Sequence, residues 1–355
     1  MSILREFLKK SEDKRIKIPV KAFLDQLGEN GVKLIRNWSD DLAIIDKIVD
    51  NLEARGLRKQ LLDSEIFFGR LLTIANSENP IPQILGLELV NKLAASVGKS
   101  DRPEFLRKKF NGIFGEIAPR MLRAGDYEQQ IIILELFMRY KVREDQEAAI
   151  RYFGESRGKA FCKMSRKSFE SDARPFLNEI NEKNPSISSL PCHRAVVGAR
   201  QIQPPSAEGY KTLWVDFQLG SKQIRIYCKL DYSLDKGEGK WDSLVIHATE
   251  VLNYDLVEGA VRDLLKITVA KEVYTMFDVS NCSQFPGKEI KFEFQKNLPV
   301  RQCMERLCQH LSVTSYSHSQ ASERSEDVFD GNPKPVSRQA FNSFRVALYN
   351  NTPKA

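Results

Sequence analysis

The chain has 355 residues, 42% hydrophobic and 28% charged, with 54 Lys and Arg against 47 Asp and Glu and a formal net charge of +7. That length allows two or three domains, and the charge permits an acidic partner without demanding one. No run approaches the ~18 apolar residues of a membrane span, the opening Met1-Ser2-Ile3-Leu4-Arg5-Glu6 has no apolar signal core, and the six cysteines are scattered, so the expectation is a soluble intracellular protein with no membrane role.

Four amphipathic helical stretches come first: Leu42–Leu52, Gln83–Leu93, Gln130–Tyr140 and Ala173–Lys183. The clearest internal match sets "LELVNKL" from Leu87 beside "LELFMRY" from Leu134, an offset of 47. The neighbouring offsets are roughly 41 and 43, inside the ~40–47 period of armadillo and HEAT repeats. Shorter helical pieces lie between, such as "SEIFFGRLLTIAN" and "RPEFLRKKFNGIFGEIAPRML". Ser39 with Asp40-Asp41 suits a helix start, Gly56 a helix end, Asn79-Pro80 and Pro82 the next start and Gly98 its close. A single repeat cannot bury its apolar faces alone, so neighbours must stack. Residues 1–183 are therefore predicted to form an all-α armadillo/HEAT-like array, with a non-repeating helical bundle as the plainer alternative.

Residues 184–210 are rich in Pro, Ser and Gly and read as a connector. Strands follow. In "LWVDFQL" Leu213, Val215, Phe217 and Leu219 alternate with Trp214, Asp216 and Gln218, and "QIRIYCKL" alternates likewise, with Gly220-Ser221 as a tight hairpin. Further strands are expected in "WDSLVIHATE", "VLNYDLVE", "DLLKITVAK" and "EIKFEFQKN", with an exposed turn at Lys236–Lys240. Val300, Cys303, Met304, Leu307, Cys308 and Leu311 then make a helical apolar stripe. Residues 211–312 thus have the outline of a pleckstrin-homology-like β-barrel capped by a C-terminal helix, and the fold class is α+β multidomain. Residues 313–355 are polar and low in aliphatics, as in a disordered tail.

Motifs for chemistry are sparse. Cys303 and Cys308 share the apolar stripe and read as core thiols, and Cys192-His193 has no second pair at zinc-site spacing. No phosphate loop or nucleophile elbow occurs, so no catalytic residue, metal, cofactor or small-molecule substrate is expected. Arg157, Lys159, Lys163, Arg166 and Lys167 carry five positive charges without an acid in eleven residues. They are a candidate contact for DNA or an acidic protein, against the reading of a solvated helix face. Arg107, Lys108 and Lys109 make a second basic cluster. Trp214, on the strand face opposite Val215 and Phe217, is a candidate inter-module contact. In the tail, Phe341, Phe344, Val346, Leu348 and Tyr349 regain apolar character and form a candidate strand-adding peptide motif; a sticky terminus is the alternative.

Ala124-Gly125-Asp126-Tyr127 and Trp214-Val215-Asp216-Phe217 with Leu219-Gly220-Ser221, behind a helical array, resemble the N-terminal region of the synaptonemal complex protein 2 and protein 2-like family, over roughly residues 15 to 312. In that family an armadillo-like domain precedes a domain of pleckstrin-homology type, similar to the middle domain of the FACT histone chaperone's large subunit. The resemblance implies a nuclear, non-enzymatic scaffold of the meiotic chromosome axis, the lateral element of the synaptonemal complex. It implies partners among axis proteins, including HORMA-domain proteins and other lateral-element subunits, and centromere proteins. DNA or histones are further candidates, and a histone-binding chaperone-like module is the alternative function.

Overall fold

The structure, a computed structural model, describes residues 3–17, 19–31, 38–57, 64–77, 80–95, 104–140, 145–165, 168–204, 212–230, 240–271, 274–275, 287–309 and 311, with backbone alone at 38–40, 80–81, 94–95, 104–113, 229–230, 240–242 and 274–275. These residues fall into two compact units. One runs to Ala124 and resumes over Glu128–Phe176; the other joins Gly125–Tyr127 to the chain from Leu177 onward.

The first unit is helical: α1 Ile3–Glu12, α2 Val20–Gln26, α3 Trp38–Ala54, α4 Glu65–Ala75, α5 Pro80–Ala95, α6 Glu104–Arg123, α7 Tyr127–Arg139, α8 Gln146–Phe153, α9 Glu155–Lys163 and α10 Phe169–Asn181, whose last turns cluster with the second unit. Local chemistry sets the ends. Gly56, at φ 73°, closes α3, and Leu57 N–H reaches back to Leu52 O at 3.0 Å, the six-to-one bond of a glycine-ended helix. Ser64 caps α4 by accepting from Phe67 N–H at 3.2 Å, and Asp145 caps α8 by accepting from Ala148 N–H at 2.9 Å.

Polar bonds show which helices are neighbours. Asn51 Nδ2 donates to Ser11 Oγ at 3.0 Å, tying α3 to α1. Lys92 Nζ donates to Asp46 Oδ1 at 2.5 Å, tying α5 to α3. Asn91 Nδ2 donates to Ile132 O at 2.9 Å, tying α5 to α7. A second rank runs beside the first. Ser64, ahead of α4, donates to Asp25 of α2 at 2.6 Å, and Arg120 of α6 donates to Asn76 O, just past α4, at 2.5 Å. The separations along the chain are 40, 46, 41, 39 and 44 residues. Helices α1, α3, α5 and α7 are thus joined in one run of neighbours, and α2, α4 and α6 in a second. Helix α5 is enclosed on all sides, buried from Pro82 to Leu93 with Gln83, Glu88, Asn91 and Lys92 included, as a helix within a core must be. Leu87, Leu134 and Leu136 are fully buried.

The second unit is a nine-stranded, wholly antiparallel sheet: β1 Ile187–Val197, β2 Arg200–Ile202, β3 Leu213–Gln218, β4 Gln223–Leu230, β5 Lys240–His247, β6 Val251–Val257, β7 Arg262–Val269, β8 Tyr274–Thr275 and β9 Glu289–Gln295. The order is β6-β7-β9-β1-β3-β4-β5-β8, with β2 also on β1. It is a curled half-barrel: no pairing joins β6 to β8 among the described residues. One face of each long strand enters a single core, with Val215, Phe217, Ile226, Ile267, Phe292 and Phe294 at its centre. Helix α11, Val300–Leu307, buries Val300, Cys303, Met304 and Leu307 in that core.

Two sequence expectations are corrected here. The stretch read as a connector supplies β1, a central strand. Pro191 and the serines before it suggested a turn. From Ile187 to Pro191, however, β1 pairs with β3 alone, so the missing proline N–H leaves no bond unmade on the other side. The turn between β3 and β4 spans Leu219–Lys222, four residues and not two, with Lys222 at φ 51°. Leu219 N–H donates to Ser186 O at 2.9 Å and Gly220 N–H to Gly125 O at 3.0 Å, which draws the turn out of the ladder. The expected turn at Lys236–Lys240 and the close at Gly98 lie outside the described residues, apart from Lys240, which opens β5.

Candidate interaction surfaces

Helix α9 holds part of the basic segment. Gly158 lets it approach α8, because a Cβ there would lie 2.6 Å from Ile150 Cα, and Phe161 is fully buried. With those residues inward, Lys159 and Lys163 share the exposed face, one turn apart, while Arg157 is half-buried. Lys159 is not a bare charge: its ammonium donates to Glu155 at 2.7 Å, an acid two residues before the segment as read. Arg166 and Lys167 lie outside the described residues, as do the side chains of Arg107, Lys108 and Lys109 and the tail residues Phe341, Phe344, Val346, Leu348 and Tyr349.

Trp214 is half-buried and lies on the strand face away from the core that holds Leu213 and Val215. The same face carries Asp216, which accepts from Ser189 Oγ at 2.6 Å and stands across the ladder from Arg225. Asp216, Gln218 and Arg225 are all buried.

A second feature is the corner of β1. Between Cys192 and Arg194 the register with β9 shifts, leaving His193 as an exposed bulge residue. Bulges bend a strand and re-aim a side chain. Beyond the bulge, Ala195–Val197 pair with both β9 and β2. At the corner opens a cavity of about 540 Å³. Its apolar wall is Pro191, Ile202, Pro204, Leu213 and Val261; its polar rim is His193, Gln201, Gln203, Thr212, Arg262 and Gln295. Sequence reasoning missed it, because residues from five strands meet there and none carries a motif. The Cys192 thiol at its edge is hydrogen-bonded to Arg194 O and Glu293 O at 3.1 and 3.5 Å. Burial pushes that thiol up to about 12, so at neutral pH it stays protonated and is a poor nucleophile. Among the described residues no three His, Cys, Asp or Glu side chains gather as a metal site.

The family model of the synaptonemal complex 2 Spt16M-like domain matches residues 187–310, the span from the first residue of β1 past the end of α11. The chain is similar to proteins of the synaptonemal complex protein 2 family. It is 24% identical over 298 residues to human synaptonemal complex protein 2, covering 81% of this chain and 18% of the human protein. It is 26% identical over 281 residues to mouse synaptonemal complex protein 2-like, covering 76% of this chain and 31% of that one. The chain thus spans less than a third of the length of these curated relatives of the synaptonemal complex protein 2 family. A solved structure titled synaptonemal complex protein matches with a TM-score of 0.59 at 20% identity, over 86% of this chain and 84% of that one, which is a likeness of fold.

Proposed function

We propose that the chain is a non-enzymatic interaction module of the synaptonemal complex, working in meiosis at the chromosome axis in the nucleus. The observation that carries this reading is the Spt16M-like domain over 187–310, joined in one chain to helices that align with the same meiotic relatives. The finer reading makes the helical unit an armadillo/HEAT-like array that recruits axis or centromere proteins. Its support is the set of inter-helix bonds spaced 39 to 46 residues apart, near the ~40–47 of such arrays, since a stack of this kind offers an extended surface to partners. Lys159 and Lys163, with Arg157, Arg166 and Lys167, are proposed as contacts to DNA or an acidic protein. Trp214 is proposed as an inter-module contact, and the tail around Phe344 as a peptide for a HORMA-domain protein. The chaperone-like alternative is not favoured: the relatives named above are synaptonemal complex proteins, and likeness to a histone chaperone's middle domain is one of fold.

The test is affinity capture by the full chain from meiotic and from mitotic nuclear extracts. Recovery of axis or lateral-element proteins from the meiotic extract alone supports the reading. Capture of histones alone, equally from both extracts, overturns it.

A further inference from the structure

We propose that the cavity at the β1 corner is a docking site for an acidic, extended peptide segment of a partner. This goes beyond the scaffold reading and stands on the second unit alone. Among the described residues the lining contains no carboxylate: its polar groups are Arg262, His193, three glutamine amides and a threonine hydroxyl. Close by, Glu293 is shared by two guanidiniums, Arg194 at 3.4 Å and Arg262 at 3.6 Å. Both pairings are long, and both arginines are about half exposed. Two arginines on one carboxylate leave a positive surplus, and exposed Lys296 adds to it. A ligand carboxylate can take the guanidinium donors that Glu293 leaves over, and charge-assisted bonds of this type are the strong ones.

The apolar part favours a polypeptide over a bare polyanion. Val261 is 74% exposed at the cavity mouth, on the turn where Lys296 N–H donates to Val261 O at 3.3 Å. Pro191 and Pro204 add to the apolar lining. An apolar side chain set between acids would cover Val261 while its neighbours reach Arg262 and His193. A nucleic-acid strand would satisfy the charges and leave Val261 bare.

The probe is a fluorescent 12-residue peptide of alternating Asp and Leu, titrated into the full chain. A peptide with Lys for Asp and a single-stranded oligonucleotide of matched charge are the comparisons. The acidic peptide should bind with an affinity that falls as salt rises, and should slow amide exchange at Gln201–Gln203 and Val261–Asp263. Arg262→Glu should weaken it by about tenfold, because the charge-assisted bond to the guanidinium is replaced by repulsion. Val261→Asp, a change at an exposed site that leaves folding intact, should weaken it as well. Equal binding of the lysine peptide, protection elsewhere on the chain, or unchanged affinity in both variants would overturn the proposal. So would an oligonucleotide that binds as tightly as the acidic peptide and protects the same amides.

Discussion

Lys92 and Asp46, on helices α5 and α3, form an ion pair that is almost wholly buried, with Nζ 2.5 Å from Oδ1 and side chains 5% and 1% exposed. The same ammonium lies 2.5 Å from Asp50, which is half exposed. Burial pulls the lysine pKa down, but Asp46 and Asp50 carry it above its ordinary value. Burial raises Asp46 to about 6 against the pull of Lys92. Both groups are therefore ionised at neutral pH.

Removing one member of such a pair strands the other charge, at a cost of about 3–5 kcal/mol, whereas replacing both with apolar residues is near neutral. Lys92→Met should accordingly be strongly destabilising at pH 7, and Asp46→Leu with Lys92→Met should recover most of the loss. The sign of the pH dependence follows from the raised pKa. Folded Asp46 holds its proton up to about 6, while the unfolded residue releases it near 3.8. Its contribution to stability is thus present below pH ~4 and lost as pH rises through ~6. Without Lys92 that loss deepens and extends upward. Denaturant melts of Lys92→Met at pH 5 and pH 7 should show the larger deficit at pH 7. Equal deficits at both pH values would mean that Asp46 does not titrate as its burial requires.

Gly125 and Gly220, both in the second unit, touch backbone to backbone. Gly220 N–H donates to Gly125 O at 3.0 Å, and a Cβ on either residue would lie 2.7 Å from the other's Cα. No flexible side chain stands there to give way. Gly220→Ala should destabilise the chain by about 2–3 kcal/mol, within the range of local overpacking and backbone strain, measured as a shifted denaturant midpoint. A midpoint unchanged within about 0.3 kcal/mol would show that the close approach is not required.

These residues also show where sequence reading stopped. Gly125 and Gly220 lie in the two motifs that carried the family resemblance, yet nothing local says that segments 95 residues apart meet. Helices α3, α7 and α10 were legible because each has a 3.6-residue apolar period, α5 because it is a long run rich in apolar residues, and the spacing between them hinted at the ranks of neighbours. The enclosure of α5 was not legible, because its buried polar residues Glu88, Asn91 and Lys92 share one side and imitate a solvent face. Strand β1 was hidden by Pro191 and its serines, whose turn-forming tendency gave way to pairing with β3. The corner cavity followed it out of sight, being made by the bulge at His193. The acid beside the basic cluster, Glu155, was one helical turn upstream of Lys159 and outside the window that defined the cluster.

The cysteines should separate by burial. Cys192 and Cys308 are buried, and the loss of solvent raises their thiols to about 12 and about 11; Cys303 is raised for the same reason. Since the thiolate is the reacting form, these three should alkylate slowly in the native chain at pH 8. Among the described cysteines Cys162, half-buried on α9 and in no disulfide, should react first. Peptide mass spectrometry after brief iodoacetamide treatment reads the order directly. Prompt labelling of Cys192 would show that the β1 corner opens in solution.

Lys159 and Lys163 share the exposed face of α9, and this arrangement makes the basic segment testable apart from the fold. An exposed i,i+4 pair such as Lys159–Glu155 contributes little to stability, and Lys163 projects into solvent. Replacing both lysines with Ala should therefore move the melting temperature by no more than about 1 °C. If the face binds DNA, the same double variant should bind duplex more weakly, and the slope of log K against log salt should flatten by about 0.9 for each phosphate no longer neutralised. The pairing with Glu155 sharpens the expectation. Glu155→Gln releases Lys159 from its intrahelical partner, so it should strengthen DNA binding while Lys159→Ala weakens it. A salt slope identical in the parent and the double variant would leave α9 as a solvated face.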